Sequence, residues 1–220
     1  MMRPGDEVRV RGLLFDMDGT LVDSEAVVAG MWRRWAARHG LDPEELMRVQ
    51  HGRRSIETVR LYPHLGLDAE AEAVLLGAEE LAELDGIVEV RGAGALLRRL
   101  PAGSWGVVTS AQRELALARI RAAGLPVPEV LVSADDVVAG KPHPEGYLAG
   151  ARQLGLAPGD CLVLEDAPAG LAAGRAAGAR VLALTTTLAA GALDAEHHLP
   201  DYASVSVRVE NGMIVLRLDD

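Results

Sequence analysis

"VRVRGLLFDMDGT", residues 8–20, begins as an apolar run and stops abruptly at an acid. Residues 8–15 carry Val, Leu and Phe at a density suited to a β-strand, and Asp16 ends the run. Asp18, Gly19 and Thr20 then suit a turn. The same punctuation returns along the chain. "WGVV" (105–108) runs into "TSAQ", "EVLVS" (129–133) into "ADDVVAGKP", and "CLVLE" (161–165) into "DAPAG", and "ARVLAL" (179–184) follows. Between these runs lie helical patterns such as "RELALARIRAAG", with Gly124, Gly155 and Gly178 where helix C-termini belong. Strands alternating with helices of this length build βαβ units and a parallel sheet. The expected fold is α/β, with a Rossmann-like open parallel sheet.

One stretch breaks the rhythm. From about residue 22 to 86 the sequence offers no strand, only amphipathic helical patterns. "SEAVVAGMWRRWAARHG" has Ser24 in the capping position, and "DPEELMRVQ" has Asp42 as cap with Pro43 in first position. "SIETVRLY" and "DAEAEAVLLGAEELAEL" follow. The expected division is an α/β core over 1–21 and 87–220, with a small helical cap over 22–86 inserted after the first strand. The tail, "SVSVRVENGMIVLRL", alternates around Asn211-Gly212 and predicts a β-hairpin of structural role.

Composition narrows the partners. The 220 residues carry 22 basic and 32 acidic side chains, a formal net charge of −10, with the basic residues dispersed. That argues against nucleic acid or an anionic membrane surface as partner, but leaves room for a small anionic substrate at a locally positive site. Three Trp, three Tyr and one Phe leave the core to Leu, Val and Ala. The single cysteine, Cys161, forbids an internal disulfide framework and suits a reducing compartment. The first residues lack the apolar centre of a signal peptide, and no run approaches membrane-span length. A soluble, cytoplasmic, monomeric protein is expected.

In an open parallel sheet, ligands bind beyond the carboxyl ends of the strands, where strand order reverses. Asp16 and Asp18 follow the first strand, Thr109 and Ser110 the second, and Glu165 and Asp166 close the fourth. Lys141 follows the third, in "VVAGKPHPEGY" (137–147), and is the only lysine in a chain that otherwise draws its positive charge from arginine. Singly, each has an ordinary reading: a turn, a helix cap, a strand-end hydrogen bond, a solvated lysine. Together, each behind an apolar strand, they converge on one edge. Carboxylates without His or Cys suit a hard cation, and Mg²⁺ typically takes one or two of them and leaves room for phosphate. A compact ammonium fits among clustered oxygens where a planar guanidinium would crowd.

The segments "LLFDMDGTLVDSE" (13–25), "VVTSA" (107–111), "GKPHPEGY" (140–147) and "LVLEDAPAGLAAGRAAG" (162–178) together resemble the haloacid dehalogenase-like superfamily. The likeness is nearest to its sugar- and polyol-phosphate phosphatases, the glycerol-phosphate and deoxyglucose-phosphate phosphatases among them. The resemblance implies Asp16 as nucleophile, forming an aspartyl-phosphate, and Asp18 as general acid and then base. It implies that Thr109 and Lys141 hold the phosphoryl oxygens. It implies Mg²⁺ on Asp16, the Asp18 carbonyl and Asp166, with Glu165 as direct or outer ligand. The substrate would be a small sugar or polyol phosphate.

Asp18 favours phosphate chemistry over dehalogenation, whose enzymes lack this second acid. The absence of lysine from 22–86 argues against the phosphonate-cleaving branch, and Val28 stands where the related sugar phosphomutases carry a histidine. Phosphomutase chemistry, and a non-catalytic binding protein on the same scaffold, are the alternatives.

"HGRRSIETVR" (51–60) resembles a cap segment of these phosphatases, which makes Arg54, with His51, a candidate for substrate contact, as is Ser110. Adjacent arginines equally suit a solvated face. Other motifs carry less. "GAGALL" (92–97) reads as a helix entry, since Leu97 stands where a nucleotide fingerprint needs its third glycine. His197-His198 reads as a surface loop, Trp32 and Trp35 as packing, and Cys161 as the start of a buried strand.

Overall fold

The four-residue run "GLLF" is apolar without alternation, and a strand buried on both faces needs just that pattern. In a computed structural model describing residues 2–219, Gly12–Phe15 forms strand β2 at the centre of a six-stranded parallel sheet. The preceding "EVRV" alternates instead, with Glu7 and Arg9 outward and Val8 and Val10 buried. It forms a separate strand, β1 (Glu7–Val10), in another sheet. The single strand expected over 8–15 is therefore two, joined at the exposed Arg11. The alternating half has one solvent face and the continuous half has none.

After β2 the chain makes a two-residue strand β3 (Val22–Asp23) and helices α1 (Glu25–His39), α2 (Pro43–Gln50), α3 (Ser55–Val59) and α4 (Ala69–Ala82). Strand β4 (Val88–Glu89) then pairs with β3 in a ladder too short to leave a periodic signal. There follow α5 (Ala93–Leu97), β5 (Trp105–Val108), α6 (Arg113–Ala122), β6 (Val130–Val132), α7 (Glu145–Gln153) and β7 (Cys161–Glu165). The chain closes with α8 (Pro168–Ala176), β8 (Arg180–Leu184), β9 (His197–Leu199), β10 (Val205–Glu210) and β11 (Met213–Leu218).

The parallel sheet runs β6-β5-β2-β7-β8-β9. From β2 the chain steps outward to β5 and β6, then returns to the other side of β2 for β7, so strand order reverses at β2. Alternate residues of each strand serve opposite faces. Leu13, Phe15, Val107, Leu162 and Leu164 pack with α5, α6 and the small sheet, while Leu14, Val108 and Val163 pack with α7 and α8. The small sheet, β1-β11-β10, is antiparallel, and its hairpin turns at Asn211 and Gly212, both at positive φ as this two-residue turn requires.

Helices α1–α4 gather around their own cluster of Met31, Trp32, Trp35, Leu46, Val59 and Leu76, with the two indoles packed edge to face. Asp42 caps α2 as its sequence suggests, accepting from the Glu44 amide at 2.9 Å. Ser24 does not cap α1 with its side chain. Nor do His197 and His198 lie in a surface loop. They form the edge strand β9, where His198 is buried and shares a hydrogen bond with the Leu193 carbonyl. A three-residue edge strand without an apolar run has little to announce it. Among the described residues, no helix is long and apolar enough to cross a membrane.

Candidate active site

Because order reverses at β2, the carboxyl ends of β5, β2 and β7 lie side by side, and the loops leaving them share one edge. Asp16 follows β2 directly, Thr109 follows β5, Glu165 ends β7 and Asp166 follows it. Lys141 enters from the β6–α7 loop and is buried. Its ammonium donates to Asp16 Oδ1 and, at 2.6 Å, to Glu165 Oε1. The Tyr147 ring of α7 lies 5.2 Å from the same nitrogen, and its hydroxyl donates to Glu165 Oε1 at 3.0 Å.

Glu165 and Asp166 are adjacent in sequence and differently employed. Glu165 shares the face of Cys161 and Val163, toward α7. Its Oε1 accepts from Lys141 and Tyr147, and its Oε2 accepts from the amides of Asp166 and Ala167, each at 3.0 Å. Asp166 accepts from the Thr187 hydroxyl, with Thr20 at 3.4 Å. Gly19, at φ 78°, sits against it: a Cβ there would lie 2.1 Å from Asp166 Oδ2. Only glycine fits both that backbone and that contact.

One oxygen from each of Asp16, Glu165 and Asp166 lies within 4.8 Å of the others, and all three residues are buried. Burial, reinforced by Glu165 and Asp166 and opposed by Lys141, pushes the Asp16 carboxyl well above the usual range. Burial and then Glu165 push Asp166 up to about 7. Burial works against the charge on Lys141, but Asp16 and Glu165 outweigh it and raise its pKa. Three carboxylates facing one ammonium leave two negative charges in excess when all are ionised. An all-oxygen donor set with that excess could bind a divalent metal. Both Glu165 oxygens already accept two hydrogen bonds each, which leaves Asp16 and Asp166 the freer carboxylates of the three.

A cavity of about 400 Å³ adjoins this cluster and lies between it and the helices α1–α4. Asp16, Asp18, Thr109, Ser110 and Asp166 line one side, and Val28, Trp32, Met47, His51 and Arg54 are among the residues lining the other. Thr109 is buried and its Oγ accepts from the Ala111 amide at 3.1 Å, leaving its proton to give. Ser110 instead donates to the Gly52 carbonyl at 2.9 Å, bridging β5's loop to the helical insert. Arg54 pairs with Glu57 at 2.5 Å and reaches the Val138 carbonyl at 3.2 Å, beside the loop that carries Lys141. His51 is half-buried, which lowers its pKa, and its Nδ1 lies 3.0 Å from Gln50 Nε2.

Asp18 lines the cavity and is gripped from two sides. Ser24 donates to its Oδ1 at 2.6 Å, and Arg119 of α6 to its Oδ2 at 3.0 Å. Sequence reasoning missed Arg119, Tyr147 and Thr187. Tyr147 lies inside a segment already singled out, "GKPHPEGY", but nothing in its spacing marks a partner for a glutamate.

This geometry sits in a recognised family. A family model of haloacid dehalogenase-like hydrolases matches residues 10–178. The chain belongs to the haloacid dehalogenase-like hydrolases. It is 47% identical over 181 residues to hexitol phosphatase A of Escherichia coli, covering 80% of this chain and 84% of that protein. It is 34% identical over 194 residues to glycerol-1-phosphate phosphohydrolase 2 of Saccharomyces cerevisiae, covering 82% and 76%. A hydrolase from Pseudomonas syringae superposes with a TM-score of 0.77 at 25% identity, over 87% of this chain and 94% of that one. The haloacid dehalogenase-like chain is a phosphoric monoester hydrolase, as its family and its phosphatase relatives show.

Gly170 in α8 tests how firmly Glu165 is seated. A Cβ on Gly170 would lie 1.5 Å from Oε1 of the Glu165 carboxylate, whose two oxygens together accept four hydrogen bonds that keep it from moving aside. Alanine gains about 1 kcal/mol of helix propensity, while overpacking costs about 1–3 kcal/mol. Gly170→Ala should therefore lower the thermal unfolding midpoint, and an unchanged or raised midpoint would show that Glu165 can yield.

Proposed function

We propose that this hydrolase cleaves a small sugar- or polyol-phosphate monoester through an aspartyl-phosphate on Asp16, with Mg²⁺ as its metal and the helical insert over 22–86 as a cap. The observation that carries the reading is the pairing of Asp16 with the buried Lys141 beside a cavity that Asp18 also lines. Asp16 Oδ would form a bond to phosphorus as the bond from phosphorus to the substrate alcohol breaks. Asp18 would give its proton to the departing alkoxide and then accept one from the attacking water, which splits the Asp16–phosphorus bond and releases inorganic phosphate. Lys141 would hold the Asp16 carboxylate in line, and Thr109 would donate to a phosphoryl oxygen. Mg²⁺ on Asp16, Asp166 and the Asp18 carbonyl, when bound, would offset the excess negative charge and draw charge from the phosphoryl group. Glu165 would stay in the outer shell, holding Lys141 and the Asp166 backbone. Positioning and electrostatics thus carry the chemistry, as phosphoryl transfer generally requires.

The cavity lining supports a polyhydroxylated leaving group. Glu25, Gln50, His51 and Glu70 offer hydrogen-bonding groups, while Trp32 and Met47 offer apolar surface for carbon faces. Hexitol and glycerol phosphates are named for the relatives, and they head the substrate panel proposed here. Val28, aliphatic and lining the cavity, has no proton to exchange, which favours hydrolysis over mutase chemistry.

Inorganic phosphate release should be sustained on such monoesters with Mg²⁺, lost with a chelator and restored by added Mg²⁺. An isomerised ester without net phosphate would identify a mutase instead. Asp16→Asn should lower turnover by about a thousandfold or more while cooperative unfolding is kept. Substantial residual turnover in that variant would remove Asp16 as nucleophile.

A further inference from the structure

Helix α6 buries Leu115, Ala116, Arg119 and Ile120 on one face. An amphipathic helix normally fills such a stripe with apolar side chains, yet Arg119 is only 2% exposed. Two carboxylates from distant parts of the chain meet its guanidinium. Nη1 donates to Asp18 Oδ2 at 3.0 Å, and Nη2 donates to Glu80 Oε1 of α4 at 2.8 Å. Its buried Nε has no hydrogen-bond partner among the described residues. Stability alone is a poor reason for such a group, because an apolar side chain of similar volume commonly serves a buried ion pair's place as well or better. What Arg119 does supply is direction. With Ser24 on Oδ1 and Arg119 on Oδ2, the Asp18 carboxylate is held at both oxygens, beside the cavity.

We propose that Arg119 is a positioning residue for Asp18, anchored by Glu80, so that the orientation of Asp18 depends on how α4 of the helical insert seats against α6 of the sheet-bearing core. The inference rests on the reading of Asp18 as general acid. Glu80 is itself buried at the edge of the same cavity, and its carboxylate accepts from Arg119. One turn earlier Gly77 of α4 faces the start of α6, where a Cβ would lie 3.3 Å from the Gln112 side-chain oxygen. Movement of α4 would therefore be felt by Arg119 and, through it, by Asp18. A misplaced proton donor penalises poor leaving groups more than good ones, because only the former need the proton.

The test compares kcat/KM on phenyl phosphate with that on p-nitrophenyl phosphate. These esters are close in size and lack sugar hydroxyls, but their leaving groups differ in basicity. Removing Arg119 alone strands Asp18 and Glu80, so Arg119→Met is paired with Arg119→Met/Glu80→Gln, which leaves less unmatched buried charge. Whichever of the two unfolds cooperatively should lose at least about fivefold more on phenyl phosphate than on p-nitrophenyl phosphate, following the proton-donor dependence of each ester. Glu80→Gln alone should show the same bias to a smaller degree. Equal losses on both esters, or none, in a folded variant of an active enzyme would overturn the inference and leave the phosphatase reading standing. A wild-type enzyme that leaves sugar, polyol and aryl phosphates intact with Mg²⁺ would overturn that reading and this inference with it.

Discussion

Burying an ammonium against two carboxylates, with a third alongside, is the constraint on which the rest of this molecule turns. Lys141 reaches Asp16 and Glu165 from a different loop, so the β2, β7 and β6–α7 segments must all be correctly placed for all three charges to be compensated together. Taking one such group out of water costs several kcal/mol unless a partner and hydrogen bonds are waiting. The fold meets that demand for Glu165 with four hydrogen bonds and for Lys141 with two carboxylates. It leaves Asp16 and Asp166 under-compensated, which is why burial and their neighbours raise both. A site that folds with an unmet need for positive charge could bind a divalent cation.

The same constraint explains the lone lysine. A guanidinium has a broad planar head, whereas this space holds one nitrogen between two carboxylates and beneath the Tyr147 ring. Around it the backbone is equally tight: a Cβ on Gly140 would lie 2.7 Å from Glu57 of the helical insert. Contacts of this kind, with those from Ser110 to Gly52 and Arg54 to Val138, join the insert to the loops that carry Thr109 and Lys141. The helical insert and the loops at the carboxyl edge of the sheet are therefore tied together.

Much of this was legible because parallel strands have to be apolar and their loops polar. Asp16, Thr109, Lys141 and Asp166 each follow a run that could hardly be anything but a buried strand, and the structure brings all four to one edge. The sequence reads β1 and β2 as one strand because two different patterns, alternating and continuous, stand end to end with only Arg11 between them. Arg119 could not be read at all. In "RELALARIRAAG" it looks like one of several solvated arginines, and its partners lie 101 and 39 residues away. Ser24 stands where serine usually caps the amides of the following helix, and instead serves a side chain six residues back.

Binding of Mg²⁺ to the resting enzyme, followed by its thermal unfolding midpoint, tests most directly whether the buried acids await a divalent cation. A ligand that binds only the folded state at a hundred times its dissociation constant adds about 2.7 kcal/mol, worth about 5–10 °C in a chain of this size. The midpoint should climb with Mg²⁺ by several degrees in the wild type and respond far less in Asp166→Asn. A wild-type midpoint indifferent to Mg²⁺, or an equal rise in both proteins, would contradict the account.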